Sequence, residues 1–240
     1  MGDREVSPLS TLATGAAGAL GAALGATFAV TARIRRSKPL HPVGVVAPAL
    51  LTVVPGSDRS GSALLDEPGA HECLVRASYA MGTGPRLPDI EGFALRVLPA
   101  DPDGPFTDIL FASTGEGAWD RYALTMRPPG RHDTQTTLLP IRAGGRPLHL
   151  RLEPLDPATQ PWPASYGLSW AHGRGPWHHV GGLAVRWGQP HDAPDRFDPV
   201  VNGLPGTTQY PAVTWLREPA YRMARLAWPR AGRLRSSTLR

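Results

Sequence analysis

The stretch that decides the fold covers residues 74–114 and reads LVRASYAMGTGPRLPDIEGFALRVLPADPDGPFTDILFAST. Three apolar runs lie in it or at its start, at 73–77, 90–98 and 106–112, and clusters of Gly, Pro and Asp separate them. Each run is short, rich in Val, Ile, Leu and Phe, and bounded by turn residues. This pattern is typical of β-strands.

Composition agrees with a β-rich domain. The chain has 240 residues with 27 glycines and 27 prolines, which favours many short strands and turns over long helices. One large domain is expected, since β-barrels often reach this length. The single cysteine, Cys73, excludes an intramolecular disulfide and is compatible with a reducing compartment. Its apolar surroundings predict a small buried side chain.

Further elements follow from local patterns along the chain. An apolar strand interrupted by Pro48 ends near residue 54, and Gly144-Gly145 links two strand candidates as a hairpin. The remaining candidates are strands at 136–142, 147–153 and 180–187, a short helix at 119–126, and terminal helices at 12–32 and 212–228. We therefore predict an α+β fold, an antiparallel β-barrel of about eight strands with flanking N- and C-terminal helices.

Three motifs in the central stretch carry a family resemblance. They are VR-x-S at Arg76 and Ser78, PD-x-x-G-x-A from Pro88, and D-x-L-F from Asp108. Together they resemble the core of the catalase-like haem-dependent family, in particular its small catalase-related members. The resemblance spans residues 38–228 in patches, and it implies a barrel that binds haem b through its iron.

The resemblance assigns three residues to the peroxide side of the haem. His41, in an H-x-x-G setting, would move a proton between the peroxide oxygens, since imidazole titrates near neutrality. Ser78 would orient that histidine, and Arg76 would pair with a haem propionate. The alternatives are a turn histidine before a proline, and a barrel arginine paired with Asp89 or Asp108.

On the opposite side, the resemblance implies a tyrosine ligand to the iron, Tyr221, with Arg217 four residues earlier. Ferric iron and a guanidinium would help the phenol to ionise. Pro219 lies between the two residues, so Arg225, one turn later, is expected to take over part of the role of Arg217. The segment Phe197-Asp198-Pro199 resembles the FDP segment that precedes this helix in catalases. The alternative for Tyr221 is a residue on the core face of a terminal helix.

One departure limits the reaction that the resemblance implies. Catalases carry an asparagine that helps to hold peroxide, where this chain has Ala112 and Ser113. A peroxidase or organic-hydroperoxide-processing enzyme with weak or no true catalase activity is therefore expected, acting on a peroxide or small hydroperoxide. A catalase-fold relic without activity is one alternative.

A metal-dependent phosphodiesterase is the other alternative. His132-Asp133 and His191-Asp192 are HD dipeptides, and Asp195 and Asp198 follow the second. Clustered His and Asp side chains can hold two divalent ions.

Charge gives a weaker indication of partners. The net charge is +5, almost entirely from arginine, and no nucleic-acid-binding module is present, so no nucleic-acid partner is expected. The uncharged run 12–32 has about the length of a bilayer span, which leaves a membrane contact open for an otherwise cytoplasmic protein.

The domain boundaries expected are a tail and helix at 1–37, a haem-binding barrel at 38–230, and a basic tail at 231–240.

Overall fold

A computed structural model describes residues 44–80, 86–157, 162–189, 197–211 and 213–214. In these residues the chain forms ten strands, one short α-helix and one 3₁₀ turn, and residues 211, 213 and 214 are also helical. In chain order they are β1 (Gly44–Val53), α1 (Ala63–Asp66), β2 (Gly69–Tyr79), β3 (Glu91–Val97), β4 (Thr107–Ser113), the 3₁₀ turn (Asp120–Tyr122), β5 (Gln135–Thr136), β6 (Ile141–Ala143), β7 (Arg146–Pro154), β8 (Ser165–His172), β9 (His178–Val185) and β10 (Thr207–Gln209).

Eight of these strands close into an antiparallel barrel. Neighbours pair in the order β7-β5-β4-β3-β2-β1-β9-β8, and a pairing between β7 and β8 closes the ring. β6 pairs with the first three residues of β7, and β10 pairs with β6. These two strands therefore extend the sheet beyond the barrel. The predicted barrel of about eight strands is confirmed. Both predicted terminal helices lie almost entirely outside the described residues.

The barrel interior is filled by alternate residues of each strand. On β1, for example, Ala47, Ala49, Leu51 and Val53 are buried in the core, whereas Leu50 is exposed. This period of two is the strand geometry that the apolar runs predicted. Cys73 belongs to the same core, and burial raises the pKa of its thiol to about 12, as expected for an inert buried side chain.

The Gly144-Gly145 hairpin is confirmed. Both glycines have positive φ, +53° and +79°, and β6 and β7 pair directly on either side of them. These are the backbone angles of the tight turn that suits a right-handed strand twist, and glycine adopts them without strain.

Three local predictions were wrong. The expected strand at 136–142 is divided between β5 and β6, because Leu138 takes a φ of +50° and Pro140 follows it. The short helix at 119–126 is only a 3₁₀ turn. β8 was missed, since six consecutive residues in it are buried and no alternation marks it as a strand. In the described part of the chain, no helix is long and apolar enough to cross a membrane.

Candidate functional site

Two of the predicted site residues, Arg76 and Ser78, lie side by side on the outer face of β2. Their neighbours Val75 and Ala77 belong to the barrel core, so the alternation of the strand points Arg76 and Ser78 outward. Strand register extends this surface across four strands, and we call it the outer rows. One row is Gly44, Ser78, Gly92 and Ala112; the other is Val46, Arg76, Ala94 and Leu110.

Small side chains dominate the outer rows. Gly44 is exposed, Ser78 is buried, and the other six residues are half-buried. Five of the eight positions are Gly, Ala or Ser, so the surface is shallow and has few projecting side chains apart from Arg76. Such a surface can accept a flat molecule laid against it.

The Arg76 guanidinium lies directly over Gly44. A Cβ atom added at Gly44 would come within 2.9 Å of Arg76 Cζ, so this position of the guanidinium depends on glycine at residue 44. Burial lowers the pKa of Arg76, but a guanidinium stays charged at any physiological pH. A permanent positive charge is therefore held at the start of β1, three residues after His41 in the chain.

Asp108, one of the partners considered for Arg76, is taken by another arginine. Both oxygen atoms of the Asp108 carboxylate accept hydrogen bonds from Arg96, at 2.7 Å each. Asp108 Oδ2 also accepts from the Asp198 amide and from Asn202 Nδ2, again at 2.7 Å. Arg96 faces Asp108 across the β3–β4 ladder, which explains why it is the partner.

This buried ion pair also anchors the segment Phe197-Asp198-Pro199. The Arg96 guanidinium lies 5.0 Å from the centroid of the Phe197 ring, and the Asp198 amide binds Asp108. The Asp198 carboxylate accepts hydrogen bonds from the amides of Val200 and Val201, closing its own turn. The FDP segment therefore docks on the outside of β3 and β4.

Ser78 makes one hydrogen bond to a described residue. Its side chain is buried, and Oγ donates to the Gly92 carbonyl oxygen across 3.4 Å. Because that bond uses the hydroxyl proton, the lone pairs of Oγ remain able to accept a hydrogen bond.

Ala112 and Ser113 face opposite sides of β4, as the alternation predicts. Ala112 lies in the outer rows, whereas Ser113 is fully buried inside the barrel. Ser113 Oγ donates to the Thr125 carbonyl at 2.6 Å and accepts from the Glu91 amide at 3.1 Å. The hydroxyl of Ser113 is therefore committed to the interior, and Ala112 leaves its position on the outer rows without a hydrogen-bond donor.

A polar cluster that the sequence did not reveal lies behind the outer rows, inside the barrel. Glu91 is 1% exposed, and its Oε1 lies 2.7 Å from His132 Nδ1, though the two are not aligned for a hydrogen bond. The His132 ring packs on Trp162 at 4.7 Å, and Gln135 Nε2 donates to Glu91 Oε2 at 3.4 Å. Glu91 begins β3 and His132 lies in the loop before β5, so the pairing of β3 with β4 and of β4 with β5 brings the two residues together, and no local pattern could have indicated this contact.

A buried phenol belongs to the same end of the interior. Burial raises the pKa of Tyr166, and the charge of Glu91 raises it further. Its hydroxyl has no hydrogen-bond partner among the described residues. The phenol therefore stays neutral at physiological pH.

The two HD dipeptides and the aspartates that follow the second one do not form a metal site, as far as the structure describes them. His132 points to Glu91, whereas Asp133 pairs with Arg127 at 3.0 Å and Arg131 at 2.9 Å. Asp198 closes its own turn, as described above. Within the ranges that the structure describes, no three His, Cys, Asp or Glu side chains are grouped for metal binding. His191, Asp192 and Asp195 lie outside those ranges.

Four predicted site residues lie outside the described residues: His41, Arg217, Tyr221 and Arg225. Their roles stay predictions. The described part fits a planar cofactor, because small residues form a shallow face and Arg76 supplies a half-buried cation at one end of it.

Solved catalase structures are similar to this fold. Catalase A from Saccharomyces cerevisiae matches with a TM-score of 0.54 and 12% identity, over 81% of this chain and 62% of that protein. A bacterial catalase gives a TM-score of 0.56 at 14% identity, over 81% of this chain and 58% of its own. A fungal catalase gives 0.52 at 14% identity, over 75% and 57%.

The chain therefore spans 57–62% of the length of these catalases. No protein-family model matches the sequence, and a search of curated proteins found no match either. At identities this low, the similarity establishes a catalase-like fold and leaves the cofactor and reaction to be argued from the residues.

Proposed function

We propose that this protein binds haem b against the outer rows and acts as a peroxidase or organic-hydroperoxide-processing enzyme with weak or no catalase activity. The observation that carries the proposal is the position of Arg76, whose guanidinium is held over Gly44 on a shallow surface of small residues in a catalase-like barrel. We also propose that residues 12–32 contact a membrane, either at its surface or as a single helix.

Arg76 is proposed to bind a propionate carboxylate. Its guanidinium is planar and permanently charged, so it can donate two parallel hydrogen bonds to a carboxylate. Gly44 leaves room for that geometry, since a side chain at residue 44 would occupy the position of the guanidinium.

His41 is proposed to hold and return the peroxide proton. It precedes Gly44 by three residues, and Ser78 lies opposite Gly44 in the β1–β2 register. Ser78 Oγ donates to Gly92, so it can accept a hydrogen bond from an imidazole N–H and fix the orientation of the ring.

On the other side, Tyr221 is the proposed iron ligand, with Arg217 and Arg225 favouring its ionised form. Haem, when bound, supplies the redox chemistry, and the chain supplies the charge, the proton carrier and the surface against which the ring lies. A phosphodiesterase has less support, because its described candidates His132 and Asp133 bind different partners.

The test is titration of the full chain with haem, followed by the Soret band. We expect a high-spin ferric spectrum typical of phenolate ligation, and Tyr221→Phe should reshape it. Arg76→Gln should weaken haem affinity by roughly tenfold to a hundredfold, since hydrogen bonds to charged groups contribute about 1.5–3 kcal/mol. Arg142→Gln removes an exposed arginine of β6 and should leave the affinity unchanged.

A protein that stays colourless after reconstitution would refute haem binding and favour the relic. A Soret band with equal haem affinity in the Arg76→Gln and Arg142→Gln variants would place the cofactor elsewhere.

A further inference from the structure

A concave site lies at the opposite end of the barrel from the outer rows. It is a cavity of about 270 Å³, just below the ~300–1,000 Å³ typical of pockets for small-molecule ligands. Its lining includes Asp58 and Arg59 after β1, Arg146 at the start of β7, and Trp170, His172 and His178 of the β8–β9 hairpin. Neither the motifs nor the proposed haem reaction uses these residues.

Aromatic rings form one wall of this cavity. The Trp170 and His178 rings stack with centroids 4.3 Å apart and planes 15° apart, and the His172 ring meets Trp170 nearly edge-on at 4.9 Å. Asp58 Oδ2 lies 3.1 Å from His178 Nδ1, and His172 Nδ1 lies 3.2 Å from the Pro147 carbonyl, which only accepts. Both imidazole rings are therefore held in fixed orientations before any ligand enters.

The charged residues give the cavity a positive balance. Arg59 and Arg146 contribute two positive charges to the lining, and Asp58, which lies against His178, contributes one negative charge. Arg59 uses one N–H on the Asp66 carbonyl at 3.3 Å. The Arg146 side chain makes no hydrogen bond or ion pair with any other residue that the structure describes, so its guanidinium is available to a ligand.

Two sets of contacts hold the cavity walls in place. Gly61 packs closely on the Gly144 turn, which brings the segment of Arg59 beside the start of β7. Arg121 donates to the carbonyls of Gly173 and Gly175 and lies 4.2 Å from the Trp177 ring centroid, which fixes the β8–β9 hairpin. The site is thus built from anchored segments.

We propose that this cavity binds a small planar aromatic carboxylate. A ring can lie against the aromatic wall, and a carboxylate can receive paired hydrogen bonds from the Arg146 guanidinium. The excess of one arginine over the single aspartate matches a monoanion better than a phosphate monoester, which carries about −1.5 to −2 near pH 7. The cavity volume limits the ligand to one or two rings.

The test is calorimetric titration of the full chain, without haem, with benzoate and indole-3-carboxylate. We expect saturable binding of at least one of them, weakened roughly tenfold by Arg146→Gln because a charge-assisted hydrogen-bond pair is lost. Arg142→Gln is the matched control, since Arg142 is exposed on the neighbouring strand outside the cavity, and it should bind like the unmodified protein.

Three comparison probes separate the parts of the proposal. Benzamide lacks the charge, cyclohexanecarboxylate lacks the aromatic face, and inorganic phosphate lacks the ring; each should bind more weakly than benzoate. Binding of phosphate or cyclohexanecarboxylate as tight as that of benzoate would overturn the aromatic-carboxylate assignment. Absence of binding by both aromatic probes, or equal binding by the Arg146→Gln variant, would overturn the site.

Discussion

At the scale of single residues, His149 is a buried imidazole on the outer side of β7 that must stay neutral. It is fully buried, and neither ring nitrogen has a hydrogen-bond partner among the described residues. Burial, and to a smaller extent the charge of Arg121, lowers its pKa from 6.5 to about 3. Between these pH values the unfolded chain binds a proton that the folded chain does not, so stability falls as pH falls below 6.5.

Replacing this imidazole should remove part of the acid sensitivity. His149→Phe keeps the ring contact with Tyr122, where the centroids are 4.7 Å apart, but cannot titrate. Relative to the unmodified protein, the variant should gain about 2–3 kcal/mol of unfolding free energy between pH 7 and pH 4.5. Urea denaturation at the two pH values measures this. His179→Gln, at an exposed position, should show no such gain; parallel pH profiles for all three proteins would contradict the buried-imidazole argument.

His41 carries the residue-scale prediction for catalysis. If it moves the peroxide proton, His41→Ala should lower peroxidatic turnover by about 10²–10⁴-fold, the usual contribution of general acid–base catalysis. The Soret band should remain, since His41 is not the proposed iron ligand. Stopped-flow assays of the haem-loaded protein provide the measurement. Unchanged turnover would mean that His41 is only a turn residue.

At the scale of elements, closure of the barrel depends on a glycine in β9. A Cβ atom added at Gly181 would collide with the Thr52 carbonyl oxygen of β1, whereas one added at Gly182 would meet nothing nearer than the Tyr166 carbonyl oxygen at 3.9 Å. β9 joins β1 to β8, so a displaced β9 opens the ring.

The two adjacent glycines form a matched pair of variants. Gly181→Ala should lower the free energy of unfolding by about 1–3 kcal/mol or more, because β1 backbone must move. Gly182→Ala should change it by less than about 1 kcal/mol, since space is available. Chemical denaturation of both variants tests this. An equal loss of unfolding free energy in the two variants would show that the β1 and β9 backbones can move apart at this point at little cost.

Sequence patterns predicted elements where only one face of a strand is buried and turn residues bound it. β2, β3 and β4 are bounded by turn residues and alternate between buried and half-buried positions over part of their length, and a separation of two places Arg76 and Ser78 on one face of β2. β8 escaped prediction because its central residues are buried on both faces, one by the core and the other by packing outside the barrel. Periodicity carries no information in such a strand.

The composition of the site was less predictable than its position. The resemblance placed Arg76 and Ser78 on one surface, but the choice of partner for Asp108 depended on which arginine faces it across the ladder, and that required the register. The contact between Glu91 and His132 depends on the order β3-β4-β5 in the sheet. The aromatic cavity is lined by three segments that lie far apart in the sequence, and no sequence motif indicates that they meet.

At the scale of the whole molecule, the barrel separates two candidate binding sites. The outer rows begin at Gly44, the first residue of β1, and the cavity adjoins Asp58, just beyond its last residue. A strand of ten residues spans about 30 Å, so the two sites lie too far apart to share a ligand. Binding at one site is therefore expected to be measurable without occupancy of the other, which is why the carboxylate titration uses protein without haem.

The last prediction concerns which peroxide the whole protein prefers. Ala112 offers no hydrogen-bond donor on the outer rows, and Ser113 is committed to the interior through Thr125 and Glu91. The haem-loaded protein should therefore release little dioxygen from hydrogen peroxide and should use cumene hydroperoxide with the higher kcat/KM. Parallel assays of dioxygen release and dye oxidation measure this preference.

Two substitutions at one position then test the cause. Ala112→Asn places an amide donor on the outer rows and should shift the kcat/KM ratio several-fold toward hydrogen peroxide. Ala112→Leu has a similar size but no donor, so it should leave hydrogen peroxide disfavoured. Rapid dioxygen release by the unmodified protein would refute the role given to Ala112. An equal shift in the Asn and Leu variants would mean that the size of the side chain, and not its hydrogen bonding, selects the peroxide.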